Sequence, residues 1–182
     1  TLHRDLKPAN ILIDPGGQPH ITDFGLAKMV GPDEASEQLT ATGQILGTPS
    51  YMSPEQAAGK SQSVGPATDI YSLGAVLYAC LTGRAPFVAN SAMDTLAQVV
   101  RNEPAAPRTL NTKVPKDLET ICLQCLAKEP QRRYGTAQLL ADDLQRYLTD
   151  RPVHARPIGP AARMWRWCRR NPAMPRPVPM PA

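Results

Sequence analysis

The sequence predicts a mainly α fold, in the α+β class, with one small β-hairpin near its start. Two features carry this prediction: a pair of short apolar runs joined by a turn, and four later segments with the apolar spacing of helices. Because 42% of the residues are hydrophobic and 20% are charged, the chain can bury one core, which excludes a disordered or collagenous protein. No run approaches the roughly 18 consecutive apolar residues that cross a bilayer, so we expect no membrane span within these residues.

The hairpin comes first. The apolar residues 11–13 precede the turn sequence Asp-Pro-Gly-Gly at positions 14–17, and residues 20–22 form the second run. Turn residues of this kind between two β-prone runs are typical of a hairpin. A hairpin places the segments before and after it side by side.

Four helices follow the hairpin. The first is predicted to begin at Thr68 or Asp69 and to stop at Gly83, and its nearly all-round apolar character indicates a buried central helix. The later three are predicted from about Ser91 to Pro104, from Pro115 to Lys128, and from Thr136 through Leu148. Residues 30–48 lack apolar periodicity, so they predict a long loop.

Charge and proline content divide the chain near residue 150. Residues 151–182 hold seven arginines, eight of the 20 prolines and no acidic residue. Since the whole chain carries +4 and these seven arginines are unopposed, the preceding residues carry −3. We therefore predict a folded part at 1–150 and a basic, extended, Pro/Arg-rich tail at 151–182.

The four cysteines suggest no special chemistry. Cys122 and Cys125 form a lone Cys-x-x-C, with no second pair or His-x-x-x-His to complete a four-ligand zinc site. Both lie at helical spacing with Ile121, so burial in a helix core is the favoured interpretation. We predict no metal site and no disulfide at the cysteines, which suits a reducing compartment.

Polar side chains suited to phosphoryl transfer flank the hairpin. His-Arg-Asp-Leu-Lys-Pro-Ala-Asn occupies positions 3–10, and Asp-Phe-Gly occupies positions 23–25. The carboxylate of Asp23 and the side-chain carbonyl of Asn10 are the hard oxygen ligands that Mg²⁺ takes from protein while keeping phosphate and water oxygens. Asp5, on the same loop as Asn10, can accept the proton of an attacking hydroxyl.

These two segments resemble the signatures of eukaryotic-type serine/threonine protein kinases, including the bacterial receptor-like ones. A third block, residues 47–55, resembles the peptide-binding segment of that family, with Ser-Pro-Glu in place of Ala-Pro-Glu. The resemblance covers about residues 1–148 and implies the C-terminal lobe of a kinase domain, with the N-terminal lobe absent. It implies ATP and Mg²⁺ or Mn²⁺ as cofactors, and catalytic or ligand-binding roles for Asp5, Lys7, Asn10, Asp23 and Thr48.

Within that resemblance, Lys7 would neutralise the phosphoryl oxygens, and a lysine there is similar to serine/threonine rather than tyrosine kinases. Asn10 and Asp23 would hold the metal, and with Lys7 they would contact the nucleotide. Structural or regulatory roles are implied for His3, Arg4, Phe24, Gly25, Glu55, Asp69 and Arg133.

Three of those roles are specific. Asp69 would hold the backbone of the loop at 3–10, and Arg133 would pair with Glu55; a plain helix cap and a solvated charge are the alternatives. Arg4 makes the chain similar to kinases that are switched on by phosphorylation of the loop before the peptide-binding segment. Its candidate phosphosites are Thr40 and Thr42, which we favour, and Ser36.

The resemblance predicts a protein serine/threonine kinase that uses ATP. No Gly-rich loop, strand lysine or helix glutamate of the family occurs in the sequence, so we expect this chain to be part of a longer kinase and inactive by itself. A small-molecule phosphotransferase is disfavoured by Lys7 and the block at 47–55. A non-catalytic kinase-like binding module is the remaining alternative, disfavoured by the intact catalytic residues.

The tail predicts a location for the parent protein. Residues 163–170 interleave four arginines with two tryptophans, the residue types found at a cytoplasmic lipid interface. With the resemblance to receptor-like kinases, this predicts contact with an anionic membrane, and a parent kinase on the cytoplasmic side, anchored by a span after residue 182. The alternative is a disordered basic linker that binds nothing or contacts nucleic acid, although we do not expect nucleic acid as a partner.

Overall fold

A computed structural model of the protein describes residues 2–24 and 49–155. Its strands and helices, in chain order, are β1 Ile11–Ile13, β2 Pro19–Ile21, α1 Pro54–Ala57, α2 Pro66–Thr82, α3 Ala92–Arg101, α4 Pro107–Leu110, α5 Lys116–Cys125 and α6 Ala137–Leu148. Single 3₁₀ turns lie at Pro8–Asn10, Pro49–Tyr51, Ser61–Ser63 and Pro130–Arg132. The mainly helical fold with one hairpin is thereby confirmed.

The hairpin is antiparallel, with Ile11 opposite Ile21. Asp14 closes its turn because its carbonyl accepts from the Gly17 N–H at 2.9 Å and its carboxylate accepts from the Gln18 N–H at 2.9 Å. Gly17 takes the left-handed conformation with φ 80°, which a glycine adopts without steric cost. The second strand is shifted by one residue from the predicted 20–22.

Helix α2 is the centre of the fold, as predicted, and α5 packs directly across it. Gly74 allows this contact: a Cβ there would lie 2.4 Å from the Cβ of Cys125. The Cys122 thiol donates to the Gly74 carbonyl at 3.6 Å. Both cysteines are fully buried at this crossing, which confirms the core interpretation.

The predicted start of α2 at Thr68 or Asp69 is wrong by two or three residues. Proline is favoured at the first helical position, since its missing N–H has no partner there anyway, and Pro66 takes that position. Thr68 lies within the first turn of the helix, where its hydroxyl accepts from the Gly65 N–H at 3.3 Å. The predicted stop is confirmed, because Gly83 takes a left-handed conformation with φ 76°.

Side-chain caps define the starts of α3 and α6 at the predicted residues. The Ser91 hydroxyl accepts from the Asp94 N–H at 3.0 Å, and the Thr136 hydroxyl accepts from the Leu139 N–H at 3.2 Å. Two predicted helix ends are wrong by three residues. Helix α3 ends at Arg101 and not at Pro104, and α5 ends at Cys125 and not at Lys128. Helices α1 and α4 were not predicted, because four residues are too few to display helical periodicity.

After α6 the chain turns back onto the core. Asp150 makes the turn with φ 53°, and Val153 and Ala155 then pack among the core residues. We call residues 151–155 the returning segment; it lies beyond the predicted boundary near residue 150, and the rest of the tail is outside the described residues. None of the helices in the described part of the chain has the length and apolar character needed to cross a membrane.

Asp143 holds the returning segment in place. Its carboxylate accepts from the backbone N–H groups of His154 at 2.7 Å and Ala155 at 2.8 Å, and from the Tyr134 hydroxyl at 2.9 Å. Burial raises the pKa of Asp143, but these hydrogen bonds outweigh it and lower the pKa below its ordinary value. Asp143 is therefore a buried charged anchor that the sequence did not reveal.

Candidate active site

The loop at residues 3–10, which we call the catalytic loop, gathers three of the predicted site residues. Lys7 Nζ lies 2.8 Å from Asp5 Oδ2. Asn10 Nδ2 donates to the Asp5 carbonyl at 2.9 Å and to Asp5 Oδ2 at 3.3 Å. The Asp5 side chain keeps 46% of its surface exposed, so its carboxylate is held in one orientation and remains accessible.

Asp69 holds the backbone of the catalytic loop from the first turn of α2. Its carboxylate accepts from the His3 N–H and from the Arg4 N–H, both at 2.8 Å. Arg4 has φ 68°, a left-handed conformation that costs a non-glycine residue roughly 1–2 kcal/mol. The two charge-assisted hydrogen bonds that Asp69 accepts offset that strain.

The hairpin brings Asp23 back beside the catalytic loop. The Thr22 N–H donates to the Asn10 carbonyl at 2.9 Å, so Asp23 follows one residue after a direct contact with Asn10. His3 adds a second link: its Nε2 lies 2.7 Å from the Thr22 carbonyl, and its ring centroid is 5.0 Å from that of Phe24. The Asp5 N–H donates to His3 Nδ1 at 3.3 Å, so Nε2 is the nitrogen that carries the proton to Thr22.

Asn10 and Asp23 are suited to a hard divalent cation. Because Asn10 Nδ2 is engaged by Asp5, the side-chain oxygen is the atom of Asn10 that can ligate a metal. Asp23 is exposed, and no group in the described part of the chain hydrogen-bonds its carboxylate. One carboxylate and one amide oxygen are the small protein contribution that Mg²⁺ needs when phosphates and waters supply the remainder.

Residues 49–57 are anchored to the core by an ion pair. We call this stretch the substrate segment, after its resemblance. Arg133 binds Glu55 in bidentate fashion, at 2.7 Å to Oε1 and 2.8 Å to Oε2. The Thr68 hydroxyl donates to the same Oε1 at 2.9 Å. The implied pairing of Glu55 with Arg133 is thus present, and both side chains are buried.

The ion pair keeps Glu55 ionised. Burial alone raises the pKa of Glu55, but the hydrogen bonds and charge of Arg133, with the Thr68 hydroxyl, more than offset it, and the net pKa lies below the ordinary value. Arg133 also stacks 5.0 Å from the centroid of the Tyr71 ring. The substrate segment is therefore tied to α2 and to the chain before α6.

Gln56 is a site residue that the sequence motifs did not reveal. With Ser53 it forms a capping box at the start of α1, and its Nε2 reaches the Arg4 carbonyl at 2.6 Å. The Ser-x-x-Gln spacing could have revealed the cap. The contact across 52 positions of sequence could not be read from local pattern.

Several predicted residues lie outside the described residues, and their roles remain predictions. They are Gly25, Thr48 and the candidate phosphosites Ser36, Thr40 and Thr42.

Comparison with known proteins agrees with this geometry. The protein kinase domain family matches residues 1–144. A probable serine/threonine-protein kinase of Streptomyces coelicolor is 38% identical over 154 residues, which cover 85% of this chain and 22% of that protein. The serine/threonine-protein kinase PknB of Mycobacterium leprae is 40% identical over 154 residues, 85% of this chain and 24% of its own. PknB of Mycolicibacterium smegmatis is 40% identical over 145 residues, 80% of this chain and 23% of its own. The chain thus spans less than a quarter of the length of these relatives.

Proposed function

This chain belongs to the protein kinase family, and from that premise we propose that it serves within a longer serine/threonine protein kinase, which transfers the γ-phosphoryl group of ATP to serine and threonine hydroxyls of proteins. The observation that carries the proposal is the joint placement of Asp5, Lys7 and Asn10 on one loop, with Asp23 one residue beyond the contact of Thr22 with Asn10. The named activities of the relatives support the same reaction.

Each residue has a distinct task in this proposal. Asp5 accepts the proton of the substrate hydroxyl, and its hydrogen bond from Asn10 keeps the carboxylate turned to one side. Lys7, 2.8 Å from Asp5, stabilises negative charge on the transferred group. Asn10 and Asp23 would hold Mg²⁺ or Mn²⁺, which supplies charge neutralisation at the phosphates when bound.

The hairpin supports a site that other groups complete. Leu12 is 57% exposed and Ile13 is 64% exposed, although they point to opposite faces of β1. Phe24, which follows Asp23, is 54% exposed. Large apolar side chains that are exposed on both faces of the hairpin favour cover by other groups, and we propose that the adenine of ATP and an N-terminal lobe in the parent protein cover them.

Substitution of the proposed base tests the function. In a complete kinase domain that contains these residues, Asp5→Asn should lower kcat toward a peptide by about 10² to 10⁴ and leave ATP affinity nearly unchanged. Asp23→Ala should weaken metal-nucleotide binding as well, because it removes a ligand. Asp117→Asn, an exposed position on α5, is the control. Wild-type turnover by Asp5→Asn would refute the assignment of Asp5 as the base, whereas no turnover by the unsubstituted complete domain would favour the non-catalytic binding module.

The tail and the phosphosites extend the proposal. Seven arginines without an acid, in residues 151–182, support contact with an anionic membrane surface and a parent kinase held on its cytoplasmic side. Phosphorylation of Thr40 or Thr42 would place a charge that Arg4 can bind.

A further inference from the structure

Gln56 joins the substrate segment to the catalytic loop through both ends of one amide. Its Oε1 accepts from the Ser53 backbone N–H at 3.1 Å and from the Ser53 hydroxyl at 3.2 Å. Its Nε2 donates to the Arg4 carbonyl at 2.6 Å. Since a backbone N–H only donates and a carbonyl only accepts, these partners leave one orientation for the amide.

The carbonyl that Gln56 binds belongs to the peptide unit between Arg4 and Asp5. That unit is planar, so a hold on its carbonyl also orients the Asp5 N–H at its opposite edge. The Asp5 N–H donates to His3 Nδ1 at 3.3 Å. Gln56 and His3 therefore grip the two edges of the peptide from which Asp5 extends.

The other side of Arg4 is held from α2. Asp69 accepts from the Arg4 N–H at 2.8 Å, and Gln56 donates to the Arg4 carbonyl. Arg4 keeps φ 68° between these two hydrogen bonds. A residue in this conformation persists only when its surroundings over-determine it. The backbone position of Gln56 is fixed, because the neighbouring Glu55 forms an ion pair with Arg133 at 2.7 Å.

We propose that Gln56 is a positioning residue for Asp5: it makes the orientation of the base depend on the ordered placement of the substrate segment. The proposal rests on the proposed function, in which Asp5 is the base. When the substrate segment is displaced, Gln56 moves with it. The peptide unit between Arg4 and Asp5 then loses the hydrogen bond to its carbonyl and keeps only the one from its N–H to His3.

A single conservative variant separates this role from helix capping. Gln56→Glu keeps an oxygen for Ser53, since Ser-x-x-Glu is also a capping box, but cannot donate to the Arg4 carbonyl. Gln56→Ala removes both contacts. Gln145→Glu, at an exposed position on α6, carries the same change of charge away from the site.

In a complete kinase domain, Gln56→Glu should lower kcat roughly three- to tenfold, the worth of one hydrogen bond, with the KM for ATP and the melting temperature near wild type. Gln56→Ala should lower both kcat and the melting temperature. Gln145→Glu should match wild type. Wild-type kcat in Gln56→Glu would overturn the proposal.

Amide hydrogen exchange of the 182-residue chain gives a second readout that needs no activity. Exchange at the Asp5 amide should be faster in Gln56→Glu and in Gln56→Ala than in wild type or Gln145→Glu. Unchanged exchange at the Asp5 amide in both Gln56 variants would refute the claim that Gln56 orients this peptide unit. If the wild-type kinase domain fails to phosphorylate, the proposed function fails, and the exchange measurement still decides whether Gln56 orients the Asp5 peptide.

Discussion

Replacing Arg133 with alanine should strongly destabilise the protein, because every N–H of this guanidinium is in use. Nε donates to the Ala127 carbonyl at 2.8 Å. The two terminal nitrogens each donate to Glu55 and to one carbonyl, that of Ala67 at 2.7 Å and that of Lys128 at 3.1 Å. Removing the side chain therefore takes a donor from each of five acceptors, the two carboxylate oxygens of Glu55 and three backbone carbonyls.

The expected magnitude follows from what Arg133→Ala leaves behind. Glu55 stays only 5% exposed and keeps the Thr68 hydroxyl at 2.9 Å as its side-chain donor. Breaking a buried ion pair by removing one partner costs about 3–5 kcal/mol of the free energy of unfolding. In a domain of this size that corresponds to a melting temperature about 6–20 °C lower.

Urea unfolding followed by circular dichroism measures this loss. Arg132→Ala is the matched control, since Arg132 is 41% exposed and lies 3.9 Å from Glu129, a surface pair worth at most about 1 kcal/mol. Arg133→Met combined with Glu55→Gln should lose less stability than the sum of the single changes. A loss for Arg133→Ala no larger than for Arg132→Ala would refute the reasoning.

The same pair predicts a pH dependence. The folded-state pKa of Glu55 is lowered, so its contribution to stability is present above the unfolded pKa and is lost as pH falls through the folded value. The stability difference between wild type and Arg133→Ala should therefore be largest near pH 7 and shrink below about pH 4. A difference that is equal at pH 7 and pH 3 would contradict the assigned charge state.

Three further perturbations test the packing and the tail. Gly74→Ala should lower the free energy of unfolding by about 1–3 kcal/mol, because the new methyl would lie 2.4 Å from Cys125 Cβ; Gly135→Ala, whose added Cβ meets only ordinary contacts, is the control, and equal stabilities would disprove the close approach. Asp143→Ala should leave the buried Ala155 N–H and the partly buried His154 N–H without their acceptor, at a cost of about 1–3 kcal/mol, and expose the returning segment to proteolysis. An unchanged cleavage rate would refute its anchoring role. A peptide of residues 155–175 should show a tryptophan blue shift with anionic vesicles but not with neutral ones, and no shift with either would end the membrane proposal.

Motif residues were predictable because their chemistry restricts their identity. Asp5, Asn10 and Asp23 are the residue types that a base and a magnesium site require. The turn sequence between Asn10 and Asp23 predicted the hairpin that brings these two residues together. Glu55 and Arg133 followed from resemblance only, since nothing in local pattern joins positions separated by 78 residues.

Local sequence by itself determined the type of each long element, the caps at Ser91 and Thr136, and the stop at Gly83, because these signals act within one helical turn. Tertiary structure alone decided the contact of Gln56 with the Arg4 carbonyl and the contacts of Asp143 with the returning segment. A glutamine amide or an aspartate carboxylate looks the same in the sequence whether it is solvated or bound, and only the fold brings the Arg4 carbonyl to Gln56 and two backbone N–H groups to Asp143.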